Sequence, residues 1–361
     1  MSSSLETTSE KPQTEVVIVG AGPIGLELAV EFSRRQISFI ILDAGAIGHT
    51  ISWWAPQTRW FSSNDRISIA GVPLLTHDQN KATREQYLTY LRSVVEQFSI
   101  DVRCYERVVQ ILDRDSGFTV VSESEQGRKE INCNQVILAV GGLDRARKLG
   151  IEGEVLPHVD GYLREPHNYY GRRVLIVGGR NSAVEAALRL HHVGAHVSLS
   201  YRGSQLPQDN IKYWLYPEIT GLIRSGLIQA HFDTRPIRIT PTYVELEHVN
   251  PQTSGERIQV PTDDVLTLIG YEQEKSLFRQ AGIELLDESQ RPLVNEATME
   301  SNVPGIYVAG TAVAGTQSSE YRLFLENCHE HVTKILAHIT GEEIDRAEPD
   351  WKQAVIDAPE S

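Results

Sequence analysis

The sequence predicts an α/β protein of two doubly wound, Rossmann-like domains, with the second domain inserted into the first. Three observations lead to this prediction. An apolar run that ends in a glycine turn and enters an amphipathic helix occurs twice, at residues 15–35 and 173–194. Each copy continues into short strand patterns and closes on another apolar run with glycine, at 136–142 and 265–270. A last block, 304–340, has no counterpart in the second copy and returns to the first domain.

Composition narrows the class of protein. The chain has 361 residues and a formal net charge of −14, from 34 Lys and Arg against 48 Asp and Glu. Without a basic cluster, this balance argues against nucleic acid or an anionic membrane as a partner, and no stretch is long and apolar enough to span a bilayer. The polar N-terminus lacks the apolar segment of a signal peptide, and three cysteines without a Cys-x-x-Cys pair fit a reducing cytoplasm.

The first copy reads as strand, helix and strand. Residues 15–19 are a continuous apolar run, typical of a buried parallel strand, and 23–35 have helical periodicity. The second strand, 37–42, ends at Asp43. One apolar helix face is formed by residues four positions apart, namely Ile24, Leu28 and Phe32. Turn residues then separate shorter strands, predicted at 105–113, 118–122, 129–133 and 136–140.

The second copy repeats this order. A strand at 173–177 precedes a helix whose face carries Ala183, Ala187 and Leu190, and Gly194 ends that helix. The later strands are predicted at 196–200, 230–238, 243–248, 257–260 and 265–269. In the last block, a strand at 306–309 leads into a long helix predicted over 318–339.

The first glycine turn has the features of a dinucleotide site. Gly20 allows a tight turn, Gly22 lets the backbone approach a pyrophosphate, and Gly25 lets helix and strand pack closely. Pro23 starts the helix, whose free N–H groups face the phosphates. Asp43, at the end of the second strand, is placed to bind a ribose diol. A glycine-rich turn without a ligand is the alternative.

The second glycine turn differs from the first. It comprises Gly178, Gly179 and Arg180, so an arginine stands at the middle glycine position, where its guanidinium would have to point outward and bind the pyrophosphate. The following strand ends in Arg202 rather than an acid, and an arginine pairs with a 2′-phosphate where an acid would repel it. This favours NADPH over NADH, with a solvated surface arginine as the alternative. Two such turns in one chain indicate electron transfer between two dinucleotides, usually a nicotinamide and a flavin.

The last block and a tryptophan pair add flavin-site candidates. Gly310 and Thr311, followed by Thr316 and Gln317, precede the last predicted helix, whose positive end would stabilise an anionic reduced flavin. A plain capped helix is the alternative. Trp53 and Trp54 follow the second strand, and Trp54 is a candidate to cover the flavin ring, although an ordinary core or interface role is equally compatible with the pattern. Three further positions complete the predicted flavin site, namely Val108, Ala139 and Gly141.

On these residues the chain resembles thioredoxin-reductase-like flavoproteins, and especially the bacillithiol disulfide reductase group. The resemblance runs from about residue 14 to 341 and rests on both glycine turns and on more specific stretches, namely 61–63, 178–187 (with Asn181 and Ser182 as NADPH-binding candidates), 211–214, 298–310 and 324–327. It implies FAD in the split domain, NADPH in the inserted domain, and a homodimer or homotetramer. We therefore predict a disordered tail at 1–12, an FAD domain at 13–148 and 269–341, an NAD(P)H domain at 149–268, and a C-terminal tail at 342–361.

The chain departs from both groups at the thiols. Where thioredoxin reductases carry Cys-x-x-Cys, this chain has residues 161–164, Gly-Tyr-Leu-Arg. Bacillithiol disulfide reductases are proposed to use a cysteine after the fingerprint proline, and that position is Ile24 here. The aspartate that usually follows the last glycine in thioredoxin reductases is Thr311. Neither thiol relay is present, so the catalytic side chains stay unknown.

Other candidates are weaker. With the last helix starting near residue 318, Cys328 would lie about three turns along it, about 15 Å from its N-terminus, and would be a structural cysteine. Cys104 and Cys133 are predicted to be packing residues. His329 and His331 are two positions apart on a helix and point to different faces, so we predict no metal site.

Three functions are compatible with the sequence. The first is an NADPH-dependent FAD oxidoreductase that reduces a disulfide, a quinone or dioxygen without a protein thiol. The second is electron transfer of the ferredoxin–NADP reductase kind, against which the acidic charge of the chain counts because ferredoxins are also acidic. The third is a non-catalytic flavin or NADPH sensor, which no added interaction domain supports.

Overall fold

The structure, a computed structural model, describes residues 13–250, 255–316 and 323–344. The contacts of the chain divide it into two compact units. The described part of the first unit is 13–52, 59–144, 273–316 and 323–344, and that of the second is 53–58, 145–250 and 255–272. The second unit thus interrupts the first in sequence. The predicted tail at 1–12 lies outside the described residues, as does most of the tail predicted at 342–361.

The elements are numbered here in chain order. The helices are α1 (Pro23–Arg34), α2 (His49–Ser52), α3 (Asn64–Ile67), α4 (Arg84–Gln97), α5 (Asn181–His192), α6 (Tyr216–Arg224), α7 (Ser276–Gln280) and α8 (His329–Thr340). The strands are β1 (Thr14–Val19), β2 (Phe39–Leu42), β3 (Val102–Arg103), β4 (Arg107–Asp113), β5 (Phe118–Ser124), β6 (Gly127–Leu138), β7 (Arg145–Ala146), β8 (Val159–Asp160), β9 (Arg173–Val177), β10 (His196–Ser200), β11 (Gln229–His231), β12 (Thr234–Ile239), β13 (Tyr243–His248), β14 (Arg257–Pro261), β15 (Asp264–Thr267), β16 (Tyr271–Glu272), β17 (Leu285–Leu286), β18 (Arg291–Pro292) and β19 (Ile306–Val308).

The first unit is built on a mixed sheet with the order β3-β2-β1-β6-β5-β4, and β19 also pairs with β6. The strands β3, β2, β1, β6 and β19 run parallel, with Val17 opposite Ile40 on one side and Val136 on the other. Strands β5 and β4 continue the sheet as antiparallel neighbours. The carboxyl ends of β2, β1, β6 and β19 therefore meet at one edge, where ligands of doubly wound sheets bind.

One long strand replaces two predicted short ones. The patterns at 129–133 and 136–140 predicted separate strands, but β6 contains the first and residues 136–138 of the second, and it ends at Leu138. The N-terminal part of β6 pairs with β5, and the C-terminal part pairs with β1 and β19. The polar residues Asn134 and Gln135, which interrupt the apolar pattern, mark the point where the pairing partner changes and not a chain reversal.

Apolar burial explains why the first glycine turn is flanked by a strand and a helix. Val16, Val17 and Ile18 of β1 have no exposed surface, which matches a parallel strand covered on both faces. The predicted face of α1 is confirmed, since Ile24, Leu28 and Phe32 are all buried. The turn between β1 and α1 is therefore held in place by packed elements on either side.

The second unit has a five-stranded parallel sheet with the order β11-β10-β9-β15-β8. One apolar cluster joins this sheet to α5, through Ala183, Ala187 and Leu190 among others. A second cluster joins it to the antiparallel sheet β12-β13-β14, through Leu175 and Val244. The predicted α/β class with two Rossmann-like sheets is confirmed.

The last predicted helix starts later than expected. Residues 317–322 lie outside the described residues, and a short 3₁₀ turn occupies Leu325–Asn327. Helix α8 begins at His329, so the prediction of a continuous helix is wrong for 323–328. Residues three positions apart share a face in a 3₁₀-helix as they do in an α-helix. Periodicity alone therefore does not distinguish a 3₁₀ turn from an α-helix over so short a stretch.

None of the helices in the described ranges has the length and apolar character that crossing a membrane requires.

Candidate functional site

The first glycine turn is shaped by close backbone packing. Gly20 has φ +111°, and a Cβ built on it would lie 2.4 Å from the backbone oxygen of Ala139. A Cβ on Gly25 would lie 1.9 Å from the backbone oxygen of Gly20. Both positions therefore exclude any side chain, because contacts this short do not occur without movement of the backbone. The two glycines bring β1, β6 and α1 into contact at the end of the sheet.

Gly22 differs from its neighbours because it faces open space. A Cβ built on it meets no atom of the described ranges within 4 Å. It is the N-cap of α1, where no side chain caps the helix, no acid lies in the first turn, and Pro23 begins the helix. Uncapped N–H groups facing open space are the arrangement that binds an anionic phosphate group. This turn fits the pyrophosphate of a dinucleotide.

Asp43 holds the glycine turn in place from the end of β2. Its Oδ2 accepts a hydrogen bond from the N–H of Ala21 at 2.7 Å, and its Oδ1 accepts one from the N–H of Gly45 at 2.7 Å. Each carboxylate oxygen keeps a second lone pair that can accept a hydrogen bond. The predicted contact of Asp43 with a ribose hydroxyl is compatible with these bonds and stays a prediction. The N–H of Glu106 donates to the backbone oxygen of Asp43 at 2.9 Å, which brings the start of β4, and with it Val108, next to this turn.

The turns that follow β6 and β19 are joined to each other. Ala139 donates its N–H to Val19 at 2.9 Å, and the Gly142 N–H donates to Oγ1 of Thr311 at 3.1 Å. Gly141, between them, has φ +78° and open space beside it. Thr311 thus ties the two turns together, a role that the sequence did not reveal.

Buried His331 fixes the 3₁₀ turn Gly310–Ala314. Its Nδ1 accepts the N–H of Gly310 at 3.1 Å, and the side chain is only 3% exposed. Burial lowers the pKa of His331 from 6.5 to about 4, against a smaller opposing effect of Glu330. The ring is therefore neutral at physiological pH and remains an acceptor.

The remaining predicted FAD positions are less closely defined. Thr316 donates its N–H to Ser289 at 2.9 Å, and its Oγ1 accepts from the Lys275 ammonium at 2.7 Å. Gln317 lies outside the described residues. Trp54 belongs to segment 53–58, whose contacts group it with the second unit. Its predicted contact with a flavin stays a prediction.

The second glycine turn repeats the geometry of the first and adds an aromatic wall. Gly178 has φ +144°, and a Cβ on it would lie 2.4 Å from the backbone oxygen of Leu268. A Cβ on Gly179 would lie 2.4 Å from the ring of Tyr201, which also packs against Gly203. Sequence analysis missed Tyr201, although its position at the end of β10 was a signal that it lies beside the turn.

The start of α5 is uncapped and open to a ligand. Arg180 is the N-cap with an exposed side chain, no acid lies in the first turn, and Ser182 is exposed. Oδ1 of Asn181 accepts the N–H of Lys212 at 2.8 Å, so this side chain holds the 211–214 loop at the helix start. Arg202 is exposed after β10. These features fit a second dinucleotide whose phosphates meet cationic groups.

The segment that stands where a dithiol would lie is tightly packed. A Cβ on Gly161 would lie 2.2 Å from Cβ of Ala146, which leaves no room for a cysteine. The Tyr162 hydroxyl accepts the N–H of Ala146 at 2.9 Å, and its ring stacks on Tyr271 at a centroid distance of 5.6 Å. The aromatic stack therefore lies between the two cysteine positions of the relay, which are Gly161 and Arg164 here.

The three cysteines are free thiols with raised pKa values. Burial raises the pKa of Cys133 to about 12, that of Cys328 well above its usual range, and that of Cys104 to a smaller extent. The predicted place of Cys328 is wrong, since it is the N-cap of α8 and not a residue within the helix. Its Sγ donates to the backbone oxygen of Phe324 at 3.0 Å. Ile24 stands at the position after the fingerprint proline where bacillithiol disulfide reductases are proposed to use a cysteine. Its Cβ lies 3.4 Å from the place that a Cβ on Gly310 would occupy.

Metal binding has no geometric support in the described ranges. No group of three or more His, Cys, Asp or Glu side chains there could hold a metal ion. His329 instead places Nδ1 2.7 Å from Glu27 and Nε2 2.9 Å from the backbone oxygen of Arg66.

Two dinucleotide-type turns, each at the end of parallel strands, define the class as a two-dinucleotide oxidoreductase. Residues 17–310 match the family described as "Pyridine nucleotide-disulphide oxidoreductase". The chain belongs to this family and is an enzyme.

Individual relatives refine this placement. The chain is 33% identical over 331 residues to "Bacilliredoxin reductase Bdr" of Bacillus subtilis, covering 92% of this chain and 99% of that protein. A solved structure of "Bacillithiol Disulfide Reductase Bdr (YpdA)" from Bacillus cereus superposes with a TM-score of 0.84 at 32% identity, covering 91% of this chain and 99% of that one. "Ferredoxin--NADP reductase 1" of Lysinibacillus sphaericus is 25% identical over 311 residues, 83% of this chain and 82% of that protein. The resemblance to the bacillithiol disulfide reductase group is confirmed.

Proposed function

We propose that the protein is an NADPH-dependent FAD oxidoreductase that reduces a disulfide or another small acceptor without a protein dithiol. FAD and NADPH are its cofactors, with FAD in the first unit and NADPH in the second. Together they supply hydride transfer from nicotinamide to flavin. The chain binds them through its two glycine turns, aided by Asp43 in the first unit and Arg202 in the second.

The observation that carries the acceptor proposal is the packing at residues 161–164. Because a Cβ on Gly161 would lie 2.2 Å from Cβ of Ala146, this segment has no space for the first thiol of a dithiol. Tyr162 is held by the hydrogen bond from Ala146 and by its stack on Tyr271. The segment that would carry a dithiol relay therefore has Gly161 and Arg164 at the two thiol positions and a packed tyrosine between them, which supports direct reduction of the acceptor.

The state of the thiols supports the same proposal. The thiolate is the nucleophile in disulfide exchange, and a raised pKa keeps the thiol protonated. Burial raises the pKa of Cys104, Cys133 and Cys328 alike. At neutral pH these side chains are poor nucleophiles, so none is suited to form a mixed disulfide with a substrate.

An acceptor screen with the purified holoenzyme tests the proposal. NADPH oxidation is followed anaerobically with bacillithiol disulfide, glutathione disulfide, a quinone or no acceptor. We expect a low-molecular-weight disulfide to accelerate NADPH oxidation, with two thiols formed for each NADPH consumed. Failure of every acceptor in the screen to accelerate oxidation would contradict the proposal.

Ferredoxin–NADP reduction is the second candidate. The 25% identity to a curated ferredoxin–NADP reductase favours it. The net charge of −14 counts against it, because an acidic partner would need a local cationic docking patch. Cytochrome c reduction that depends on added ferredoxin would separate this function from the first one.

Assembly and location are further proposals. We infer a homodimer or homotetramer in the cytoplasm, without a nucleic acid or membrane partner, in keeping with the acidic charge and the free cysteines. Light scattering on the purified protein measures the oligomer.

A non-catalytic sensor is distinguished by its flavin, which NADPH would leave oxidised.

A further inference from the structure

Gln273 carries a buried acceptor that no other described residue pairs with. Its side chain is 3% exposed. Its Nε2 donates to the backbone oxygens of Gly141 at 3.0 Å and Ala312 at 2.8 Å. Its Oε1 is buried and has no hydrogen-bond partner among the described residues. A buried amide oxygen is normally paired, so this atom calls for a donor from outside the chain.

The orientation of the amide is determined by its neighbours. Exchanging Nε2 and Oε1 would place the oxygen against the carbonyl oxygens of Gly141 and Ala312, and acceptors do not bond to acceptors. The nitrogen must therefore face the two carbonyl groups. The oxygen is consequently the atom of the amide that has no partner among the described residues.

The position of Gln273 in the fold indicates which ligand supplies the donor. Gly141 follows β6, and Ala312 lies in the turn after β19, so Gln273 lies at the carboxyl edge of the parallel strands. In the order β2-β1-β6, Asp43 stands on one side of the first glycine turn and Gln273 on the other. A dinucleotide whose pyrophosphate meets α1 places its adenosine at Asp43 and its other half toward Gln273.

We propose that Gln273 is a further FAD-binding residue, whose amide joins the turns after β6 and β19 and whose Oε1 accepts a hydrogen bond from a ribityl hydroxyl. The proposal rests on the proposed use of FAD by the first unit. The ribityl chain follows the pyrophosphate in FAD on the flavin side. Strand β6 is the neighbour of β1 on the side away from β2, so the ribityl chain would lie next to the turn after β6, where Gln273 is bound. Its hydroxyls are the first donors in that direction, before the imide N–H of the ring.

A double-mutant cycle between the side chain and the cofactor tests this assignment. The apoprotein and its Gln273→Leu variant are each titrated with FAD and with analogues that lack one ribityl hydroxyl. We expect the wild type to bind FAD about 3- to 10-fold more tightly than one of the analogues, as expected for one neutral hydrogen bond. Gln273→Leu should bind that analogue and FAD equally. The control Gln280→Leu, an exposed glutamine at the end of α7, should retain the wild-type preference.

Two outcomes would overturn the assignment. One is a Gln273→Leu variant with the same preference for FAD over every analogue as the wild type. The other needs no variant and is a wild-type apoprotein that binds FAD and all deoxyribityl analogues with equal affinity. A wild-type protein that binds no FAD at all is a different result, because it would reject the proposed function together with this inference.

Discussion

At the scale of single residues, the glycines of the first turn serve different purposes. Gly20 and Gly25 are required by backbone contacts within the protein, whereas Gly22 faces open space at an uncapped helix start. The packing roles of Gly20 and Gly25 could be predicted from the sequence, because a strand–turn–helix connection has a local geometry that leaves no space for a side chain at these positions. The contributions of His331 and Gln273 could not be predicted, since they depend on contacts between residues far apart in sequence.

A matched pair of alanine substitutions separates packing from cofactor binding. Gly25→Ala would drive a Cβ to 1.9 Å from the Gly20 oxygen, so we expect a loss of stability of about 1–3 kcal/mol or more. Gly22→Ala meets no protein atom within 4 Å and should leave the apoprotein stable while it weakens FAD binding. Urea unfolding of the apoproteins and FAD titration measure the two effects. Gly221→Ala, also open within 4 Å but in α6, is the control for FAD binding. Equal FAD affinity of Gly22→Ala and wild type would reject the pyrophosphate site.

Serine substitutions test whether a thiol takes part. Because burial raises the pKa of Cys104 and Cys328, we expect Cys104→Ser and Cys328→Ser to retain NADPH-dependent turnover within about twofold. Steady-state kinetics with the best acceptor of the screen measures this. The wild-type protein with both thiols present is the reference, and a matching thermal unfolding curve guards against misfolding. Loss of turnover by a folded serine variant would contradict the mechanism without a thiol.

At the scale of the elements, local patterns identified the strands and helices that flank the glycine turns. These elements have strong periodicity and are buried on predictable faces, as α1 and α5 show. The errors occurred where tertiary pairing decides the structure. The long strand β6 changes partner along its length, and α8 begins only at His329. The end of β10 was a signal that Tyr201 lies near the second glycine turn, but its ring contact with Gly179 arises only when the two loops meet.

The end of β10 should determine nucleotide choice. Arg202 is exposed after this strand, and an exposed arginine beside a 2′-phosphate forms a charge-assisted hydrogen bond. We expect Arg202→Ala to weaken NADP⁺ binding about tenfold or more, with NAD⁺ binding nearly unchanged. Calorimetric titration with both nucleotides measures the ratio, and Arg224→Ala, an exposed arginine in α6, is the control. An unchanged preference for NADP⁺ would show that Arg202 is a surface arginine only.

The link from α8 to the Gly310–Ala314 turn should make stability depend on pH. The folded-state pKa of His331 is about 4, below 6.5, so the unfolded chain binds its proton first as the pH falls. The stabilisation is complete above pH 6.5 and is lost toward pH 4, by roughly 3 kcal/mol. Glu330, Lys334 and His329 are the charged or titratable groups that affect this ring.

Urea unfolding of the apoprotein across this pH range measures that effect. We expect His331→Gln, which keeps an acceptor for Gly310, to lose less stability between pH 6.5 and 4 than the wild type. The exposed His167→Gln variant should behave as the wild type does. Identical pH profiles for His331→Gln and wild type would contradict a neutral buried imidazole.

At the scale of the whole molecule, one unit interrupts the other in sequence, and each has its own sheet with parallel strands and its own glycine turn. Internal repetition made this architecture predictable, because each copy repeats the same order of strand, turn and helix. The assignment of one cofactor to each unit remains a prediction. The acceptor was not predictable, since the thiols that identify it in similar proteins are replaced here by Gly161, Arg164 and Ile24.

An anaerobic NADPH titration of the purified protein, with the visible flavin absorbance as readout, is the most direct test of hydride transfer from NADPH to FAD in this protein. We expect a yellow protein that is bleached by about one equivalent of NADPH, because the two cofactors exchange one hydride. That result would establish flavin content, NADPH use and electron transfer between them in one experiment. A flavin that stays oxidised in excess NADPH, or a protein without flavin, would contradict hydride transfer from NADPH to FAD in this protein.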